Sequence, residues 1–564
     1  MPHESANSVA GNSPRATLKS LGEEIRRNPQ DSHTYHRMAA AYGQRREFEP
    51  ACEFLQKAIS LDRQNPKYWC DLATSFSWLG DSELELDALQ SALALDPCCV
   101  DACMRLAAKA SERGDLKQAR KYFDKALNAA PMSREACEGL CATYLEEYGE
   151  AEAQTRTAAA LTMSSDAVPV LKALAAALQS RGRYEQALGQ WSKVLLSDPS
   201  DSTALMEAAN AEVALRRFDS ASRLFRLASA AAPESSAVAL ATAHFAFRTG
   251  CLDDACEIIR HALVRSVLKP HWLASQPAAA PIWTGAENIA GKTVLVECAG
   301  AFGDNIQFAR FASLMKVSGA KVVLQCLPPL QDILRSMQSV DEVITPYDEC
   351  APIDYQCRAD IAMFLSPWTW DWIKRDTPYI VPSNGQTVFP LIAPDNLPRV
   401  GIVWRSQSLS TGPTVPAHKQ TRNHFAFRSI PLELLQPLSE SATVYGLQVG
   451  PGTEEIRSST RAWMTQNFEA DFSRTTAIIM AMDAIVTVDS AMAHLAGALG
   501  KTCFLMLPYY PEFRWMTETN DFFNGSASAW YPATSVFRQP RPGDWHPVVS
   551  DIAERLPALR SVRP

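Results

Sequence analysis

A period of 34 residues runs through the first half of the chain and constrains its fold more than any other feature. Alanine recurs at Ala58, Ala92, Ala126, Ala160, Ala228 and Ala262, with Val194 at the missing step, each late in a helical pattern. Only a small side chain lets two helices approach closely there. Glycine recurs at Gly80, Gly114, Gly182 and Gly250, where one helix must turn into the next. Proline recurs at Pro29, Pro97, Pro131, Pro199 and Pro233, where it cannot continue a helix. Three columns with one period define a unit of helix, turn, helix and stop, repeated about seven times over residues 29–268. Stacked units of this kind bury one another's apolar faces, so an α-solenoid is expected. Residues 1–28 read as an extension, partly disordered or a partial repeat.

The period, with Gly114-Asp115-Leu116-Lys117-Gln118-Ala119 and with Ala126-Leu127 before Pro131, resembles the tetratricopeptide repeat. That resemblance implies a superhelix whose concave face binds an extended peptide or another protein. A spacer or a dimerisation surface without a groove ligand is the other reading. The unit at 132–165 departs from the pattern, because Tyr148 and Gly149 displace the expected glycine; a bend in the superhelix is expected there.

Helical periodicity fades after Val267, and Lys269 to Ile289 holds Pro270, Pro277 and Pro281, which marks residues 269–290 as a linker. Its Trp272 and Trp283 are expected to pin two domains together. Residues 291–564 then alternate strand and helix. Strands are expected at Thr293–Cys298, Lys321–Cys326, near Ile361–Leu365, and at Val400–Trp404, Val444–Gln448, Ala484–Val488 and Cys503–Leu507, with a helix over Ile306–Lys316. This alternation predicts parallel sheets in two Rossmann-like halves, about 291–395 and 396–556, with ligands at the carboxyl ends of the strands.

The most informative stretch of this half is Asp489-Ser490-Ala491-Met492-Ala493-His494-Leu495-Ala496, after the strand ending at Val488. Asp489 and Ser490 can cap a helix whose free N–H groups would face an anion above the sheet edge. The segment resembles the helix that grips the sugar nucleotide in glycosyltransferase family nine, which contains the heptosyltransferases. The resemblance covers residues 291–556 and implies the GT-B architecture, a nucleotide sugar as donor substrate, and donor contacts from Asp489, Ser490, Ala491 and His494. For His494 a satisfied core histidine is the competing reading.

Ala299-Gly300-Ala301-Phe302-Gly303-Asp304 resembles the Gly-Asp turn that opens these enzymes, with Gly300 and Gly303 where the backbone must turn tightly. The family's proposed general base then corresponds to Asp304, which could take the acceptor hydroxyl's proton; a plain helix cap is the alternative. The third glycine of a dinucleotide fingerprint is missing. After the strand ending at Trp404 come Arg405 and Ser406, which are expected to contact the donor, then a long polar loop with Lys419 and Arg422. Arg428 before Ser429-Ile430-Pro431 matches the family's phosphate-binding basic residue, and a guanidinium fork suits a diphosphate. Lys419 and Arg422 read equally well as a solvated loop. Asp471 and Thr475 are expected to shape the helix over the donor base. Pro508-Tyr509-Tyr510-Pro511-Glu512-Phe513-Arg514-Trp515, Trp530-Tyr531-Pro532 and Phe537-Arg538-Gln539 resemble the carboxy-terminal stretch of bacterial tetratricopeptide proteins that carry such a domain. Their aromatic residues suit stacking on a base or sugar, or rigid loop packing.

At 564 residues the chain is too long for one core, and 47% hydrophobic with 21% charged residues is an ordinary globular composition. A net charge of -8 argues against a surface made to hold nucleic acid. No apolar run reaches membrane-spanning length: Ala477–Val488 is short and contains Asp483. The start of the chain lacks a signal-peptide pattern, and the fourteen scattered cysteines suit buried thiols in a reducing compartment, so a cytoplasmic protein is expected. No Asp-x-Asp pair occurs in the second half, and neither a metal nor another cofactor is expected. The reading is a metal-independent, inverting glycosyltransferase whose repeats recruit a protein acceptor or partner, an arrangement similar to the O-linked N-acetylglucosamine transferases. Transfer to a glycan or lipopolysaccharide precursor is one alternative, and a non-catalytic protein-binding scaffold is the other.

Overall fold

The computed structural model describes residues 14–44, 47–79, 81–131, 133–165, 167–264, 280–345, 348, 352–365, 370–381, 397–406, 428–450, 452–456, 463–468, 471–510, 513–515 and 526–562. Its first part is a run of helices. After α1 (Pro14–Arg27) come seven pairs: α2 (Ser32–Gln44) with α3 (Phe48–Leu61), α4 (Pro66–Leu79) with α5 (Ser82–Leu95), α6 (Val100–Glu112) with α7 (Leu116–Ala129), and α8 (Arg134–Tyr148) with α9 (Glu150–Ala160). The last three are α10 (Val168–Gln179) with α11 (Tyr184–Ser197), α12 (Ser202–Ala214) with α13 (Phe218–Ala231), and α14 (Ser236–Arg248) with α15 (Leu252–Val264). Several starts are fixed by side-chain caps: Asp81, Asp115, Ser133, Asp201 and Ser235 each accept a hydrogen bond from a backbone N–H three residues on. Helix α1 buries Leu21 against Met38 and Ala41, so this part of the extension packs as a partial repeat.

The alanine column lies where helices touch. Ala58, Ala92, Ala126, Val194 and Ala228 are fully buried and Ala262 is nearly so. Ala160 is exposed, because α9 ends early and the chain turns out through Thr162 at φ 53°. The glycine column adopts the left-handed conformation, at φ 78° for Gly114, 71° for Gly182 and 83° for Gly250. Arg216 occupies the same register position and holds φ 62° without glycine's freedom.

The second part contains two sheets. Strands β1 (Thr293–Glu297), β2 (Lys321–Gln325), β3 (Glu342–Ile344) and β4 (Tyr355–Arg358) form a parallel sheet of order β3-β2-β1-β4. Strands β5 (Arg399–Val403), β6 (Thr443–Gly446), β7 (Met464–Asn467), β8 (Ala484–Val488), β9 (Cys503–Leu507), β10 (Ser526–Ala527) and β11 (Thr534–Arg538) form a second, of order β10-β11-β9-β8-β5-β6-β7. Only the short β10 runs antiparallel. From β7 through β11 the second sheet has the 3-2-1-4-5-6 order of a doubly wound nucleotide-binding sheet. The accompanying helices are α16 (Phe302–Ala309), α17 (Ala312–Val317), α18 (Gln331–Leu334), α19 (Ala359–Leu365), α20 (Trp370–Arg375), α21 (Phe472–Ala481), α22 (Ala491–Ala498) and α23 (His546–Arg555).

Three expectations need correction. Ile361–Leu365 belongs to helix α19, not to a strand; the strand is β4, just before it. The run is buried on every side, so it lacks the polar face that distinguishes a helix in sequence. The helix expected over Ile306–Lys316 is broken at Arg310 and Phe311, both fully buried. The linker ends sooner than residue 290: Ile282 bridges Gln356 beside β4, Trp283 donates its N–H to the Gln356 carbonyl at 2.9 Å, and its ring is buried in the core. Trp272 lies outside the described residues.

One apolar core joins the two parts. It runs from Ala243, Phe247, Ala255 and Ile259 of the last helix pair through the first sheet to Leu495, Leu505 and Trp530 of the second. Phe247 lies 6.2 Å from Phe364, 6.0 Å from Phe513 and 5.8 Å from Trp530, centroid to centroid. No helix among the described residues is long and apolar enough to cross a membrane.

Candidate functional site

In open parallel sheets, ligands settle outside the carboxyl ends of the strands where the strand order reverses. The second sheet reverses between β5 and β8, which brings together residues 83 apart in sequence: the Ser406 hydroxyl donates to the Asp489 carbonyl at 2.7 Å. Arg428 places a guanidinium nitrogen 2.5 Å from the Asp489 carboxylate, the two side chains being 12% and 5% exposed. Arg405 points away, to an ion pair with Glu455. Gln448 holds the turn by accepting from the N–H groups of Trp404 and Arg405 at 3.2 and 3.0 Å. Ser490 caps α22, accepting from the Met492 N–H at 3.2 Å. Lys419 and Arg422 lie outside the described residues.

The first sheet reverses between β1 and β4, where Glu297 and Arg358 stand opposite one another in register. Arg358 also donates to both carboxylate oxygens of Asp360, through its Nε and one terminal nitrogen. Burial pushes the Glu297 carboxyl up to about 7, with Arg358 opposing the shift and Asp360 adding to it. Past β1 the backbone turns at Gly300, φ 92°, where an added Cβ would sit 2.6 Å from an Asp304 carboxylate oxygen. Asp304 accepts the Ala301 N–H at 2.8 Å, closing the turn, and its other oxygen lies 2.7 Å from Arg514. Asp304 therefore closes the turn as the cap reading expects, and pairs with Arg514 as well.

The helices leaving the two reversal points pack on each other. Gly303, expected in the tight turn, lies instead within α16 and makes this possible, since a Cβ there would meet the His494 ring at 2.9 Å and the Ala491 Cα at 3.5 Å. His494 itself is 2% exposed, bonded through Nδ1 to the Tyr531 hydroxyl at 3.0 Å and stacked on Trp515 at 5.2 Å. His494 thus has the surroundings of a satisfied core histidine. Trp530 and Tyr531 are also fully buried, which favours loop packing for them. Asp471 caps α21 through the Arg474 N–H, and Thr475 is buried in that helix. Pro511 and Glu512 lie outside the described residues.

Sequence reasoning missed Glu297, Arg358 and Arg514. Glu297 had a signal, an acid closing an apolar strand. Arg514 stood within the quoted Phe-Arg-Trp phrase, but nothing local shows that it reaches Gln307, 207 residues away, at 3.1 Å. Among the described residues no group of three or more His, Cys, Asp or Glu side chains is placed to hold a metal ion.

The family model of the tetratricopeptide repeat matches residues 32–65, the span of α2 and α3. No curated protein matches the chain. Similar solved structures include the crystal structure of MamA, 21% identical over 26% of this chain and 85% of that one, with a TM-score of 0.24. Yeast Tom70 is 17% identical over 44% of this chain and 55% of that one, TM-score 0.32. Pseudomonas aeruginosa pilF is 18% identical over 38% of this chain and 96% of that one, TM-score 0.25.

Proposed function

We propose that residues 291–556 form a GT-B glycosyltransferase that moves a sugar from a nucleotide sugar to an acceptor hydroxyl, with the helical repeats presenting a protein acceptor or partner. The observation that carries this reading is the convergence of two strand-order reversals. One gathers Ser406, Arg428 and Asp489, the other gathers Glu297, Asp304 and Arg358, and the helices leaving them touch. Arg428 supplies a fork for a diphosphate whose charge grows as the glycosidic bond breaks. A carboxylate of the first sheet takes the acceptor's proton. Asp304, paired with Arg514, is the family's counterpart for that step; Glu297, with its carboxyl pushed up to about 7, suits proton transfer at neutral pH.

The test is a thermal-shift panel of nucleoside diphosphates and sugar nucleotides on the full chain, with and without magnesium. An upward shift for one nucleotide supports a donor site, since a ligand bound only by the folded state stabilises it. A scaffold without turnover is the second reading. It is favoured by the internal pairing of Arg428 with Asp489, Arg405 with Glu455 and Asp304 with Arg514. No shift across the panel from a folded sample selects it.

A further inference from the structure

We propose that Cys99 and Cys70, in the second and third helix pairs, form a site of reversible thiol oxidation that takes a hydroperoxide as its oxidant and closes to a disulfide. The two Sγ atoms are 3.6 Å apart, although the residues are 29 apart in sequence. Forming a bond of about 2.05 Å takes a movement of roughly 1.5 Å, shared between two side chains that already point at each other. The pair is asymmetric in the way stepwise oxidation requires. Cys70 is buried within α4, 4% exposed, in the small apolar cluster formed by Ala73, Ala88, Leu89 and Ala102. Cys99 is partly exposed and is the N-cap of α6, where N–H groups of the first turn favour a thiolate.

The electrostatics agree with that geometry. The Cys99 thiol is held below its ordinary range, first by the Cys70 thiol donating to it and then by the Ala102 N–H, with partial burial, Asp101 and Asp96 working the other way. Cys70 is pushed up by donating to Cys99 and by burial, with Asp101 adding to this and Arg105 opposing it. Cys103 is buried with its sulfur toward the Pro97 carbonyl, and Cys98 is exposed beside Cys99. The same four cysteines are not placed as a metal site.

The chemistry balances in two steps. The Cys99 thiolate attacks the terminal oxygen of the hydroperoxide, an S–O bond forms, the O–O bond breaks, and the alkoxide or hydroxide leaves and takes up a proton. The Cys70 sulfur, giving up its proton, then attacks the Cys99 sulfenic acid; the S–S bond forms, the S–O bond breaks, and water leaves. Two thiols are oxidised and one peroxide is reduced. The product ties α4 to the start of α6 and fixes the angle between two neighbouring repeats. Thiol reductants restore the starting state.

The experiment uses the reduced full chain, hydrogen peroxide, alkylation with N-ethylmaleimide and peptide mass spectrometry. A Cys70–Cys99 peptide, lighter by two hydrogens than its reduced parts, is expected before Cys98 is modified. Cys70→Ser is expected to accumulate a Cys99 sulfenic acid that a cyclic 1,3-dione traps. Cys99→Ser is expected to leave Cys70 reduced. Cys98→Ser is expected to leave the cross-link unchanged. Cross-linking through Cys98, oxidation of Cys99 straight to the sulfinic acid in the wild-type chain, or Cys99 no faster than Cys98 would each overturn the proposal.

Discussion

The Arg428–Asp489 pair offers the sharpest test of the candidate site, because its contribution can be worked from its burial. With the two side chains 12% and 5% exposed, removing either partner leaves a charge that water reaches poorly. Breaking such a pair costs about 3–5 kcal/mol, whereas replacing both members by uncharged groups is close to neutral. Asp489→Asn and Arg428→Met should therefore each lower the melting temperature of the α/β part by about 6–20 °C, at roughly 2–4 °C per kcal/mol for a unit of this size. The double variant should recover most of the loss, so that the coupling energy between the two sites approaches the sum of the two single losses, about 6–10 kcal/mol. The ligand side of the cycle separates the two functional readings. If Arg428 meets a diphosphate, Asp489 competes with that ligand, and Asp489→Asn should tighten nucleoside diphosphate binding about tenfold for each 1.4 kcal/mol of pairing released. Arg428→Met should abolish it. Differential scanning fluorimetry of the four proteins, with and without nucleotide, reads both effects. Single variants that melt with the wild type would refute the argument from burial; nucleotide affinity unchanged in all variants would remove Arg428 from the donor site.

Phe247→Ala should destabilise the protein by about 3–5 kcal/mol, since the ring is 1% exposed among Phe364, Phe513 and Trp530, and chemical denaturation followed by tryptophan fluorescence checks it. At Arg216, φ 62° strains any residue but glycine, while the guanidinium lies 5.5 Å over the Tyr509 ring. Both Arg216→Gly and Arg216→Ala lose that contact, but only glycine relieves the strain, so the glycine variant should be the more stable by about 1 kcal/mol in urea titrations; the reverse order would refute the assignment. Glu297 is raised from 4.5 in its ordinary state to about 7, so the unfolded chain gives up this proton first as pH rises. Its contribution is present below about 4.5, is lost as pH climbs towards 7, and stays lost above that, by up to about 3 kcal/mol. Glu297→Gln should flatten stability across that window, and equal slopes for the two proteins would show that Glu297 ionises normally.

What could be read from sequence was what local spacing encodes. The strands expected at Ala484–Val488 and Cys503–Leu507 are β8 and β9 residue for residue, because short all-apolar runs between turn residues have few other uses. The repeat register held through six of its seven steps for the same reason, and failed at Ala160 where α9 ends a turn early. What could not be read depends on topology. Ile361–Leu365 is apolar on every side, so nothing in its pattern separates helix from strand. Arg310, within the helix expected over Ile306–Lys316, is fully buried and donates to the carbonyls of Trp530 and Ile373 at 3.0 and 2.6 Å. Its partners lie 220 and 63 residues away, and no window of sequence contains them. The same holds at the site: Asp489 and Ser490 were visible as a strand end and a cap, but the Arg514 partner of Asp304 was not.

That partner also shows why the repeats and the sheets cannot be treated as separable pieces. Phe513, Arg514 and Trp515 form a single turn whose three side chains reach three different places. Phe513 stacks on His244 of α14 at 3.9 Å, with ring planes 6° apart. Arg514 pairs with Asp304 at 2.7 Å, and Trp515 stacks on His494 at 5.2 Å. The Trp530 indole donates to the Arg514 carbonyl at 2.6 Å while its ring stacks on Phe247, so the turn is clamped to the last helix pair from both sides. A displacement of α14 therefore moves Phe513, and the next residue in the chain carries the charge that holds Asp304. Removing the helical repeats would expose Phe364, Phe513 and Trp530 together and release the turn that positions Arg514. The repeats are thus part of the structure that sets the electrostatics at Asp304, through the turn that joins Phe513 to Arg514.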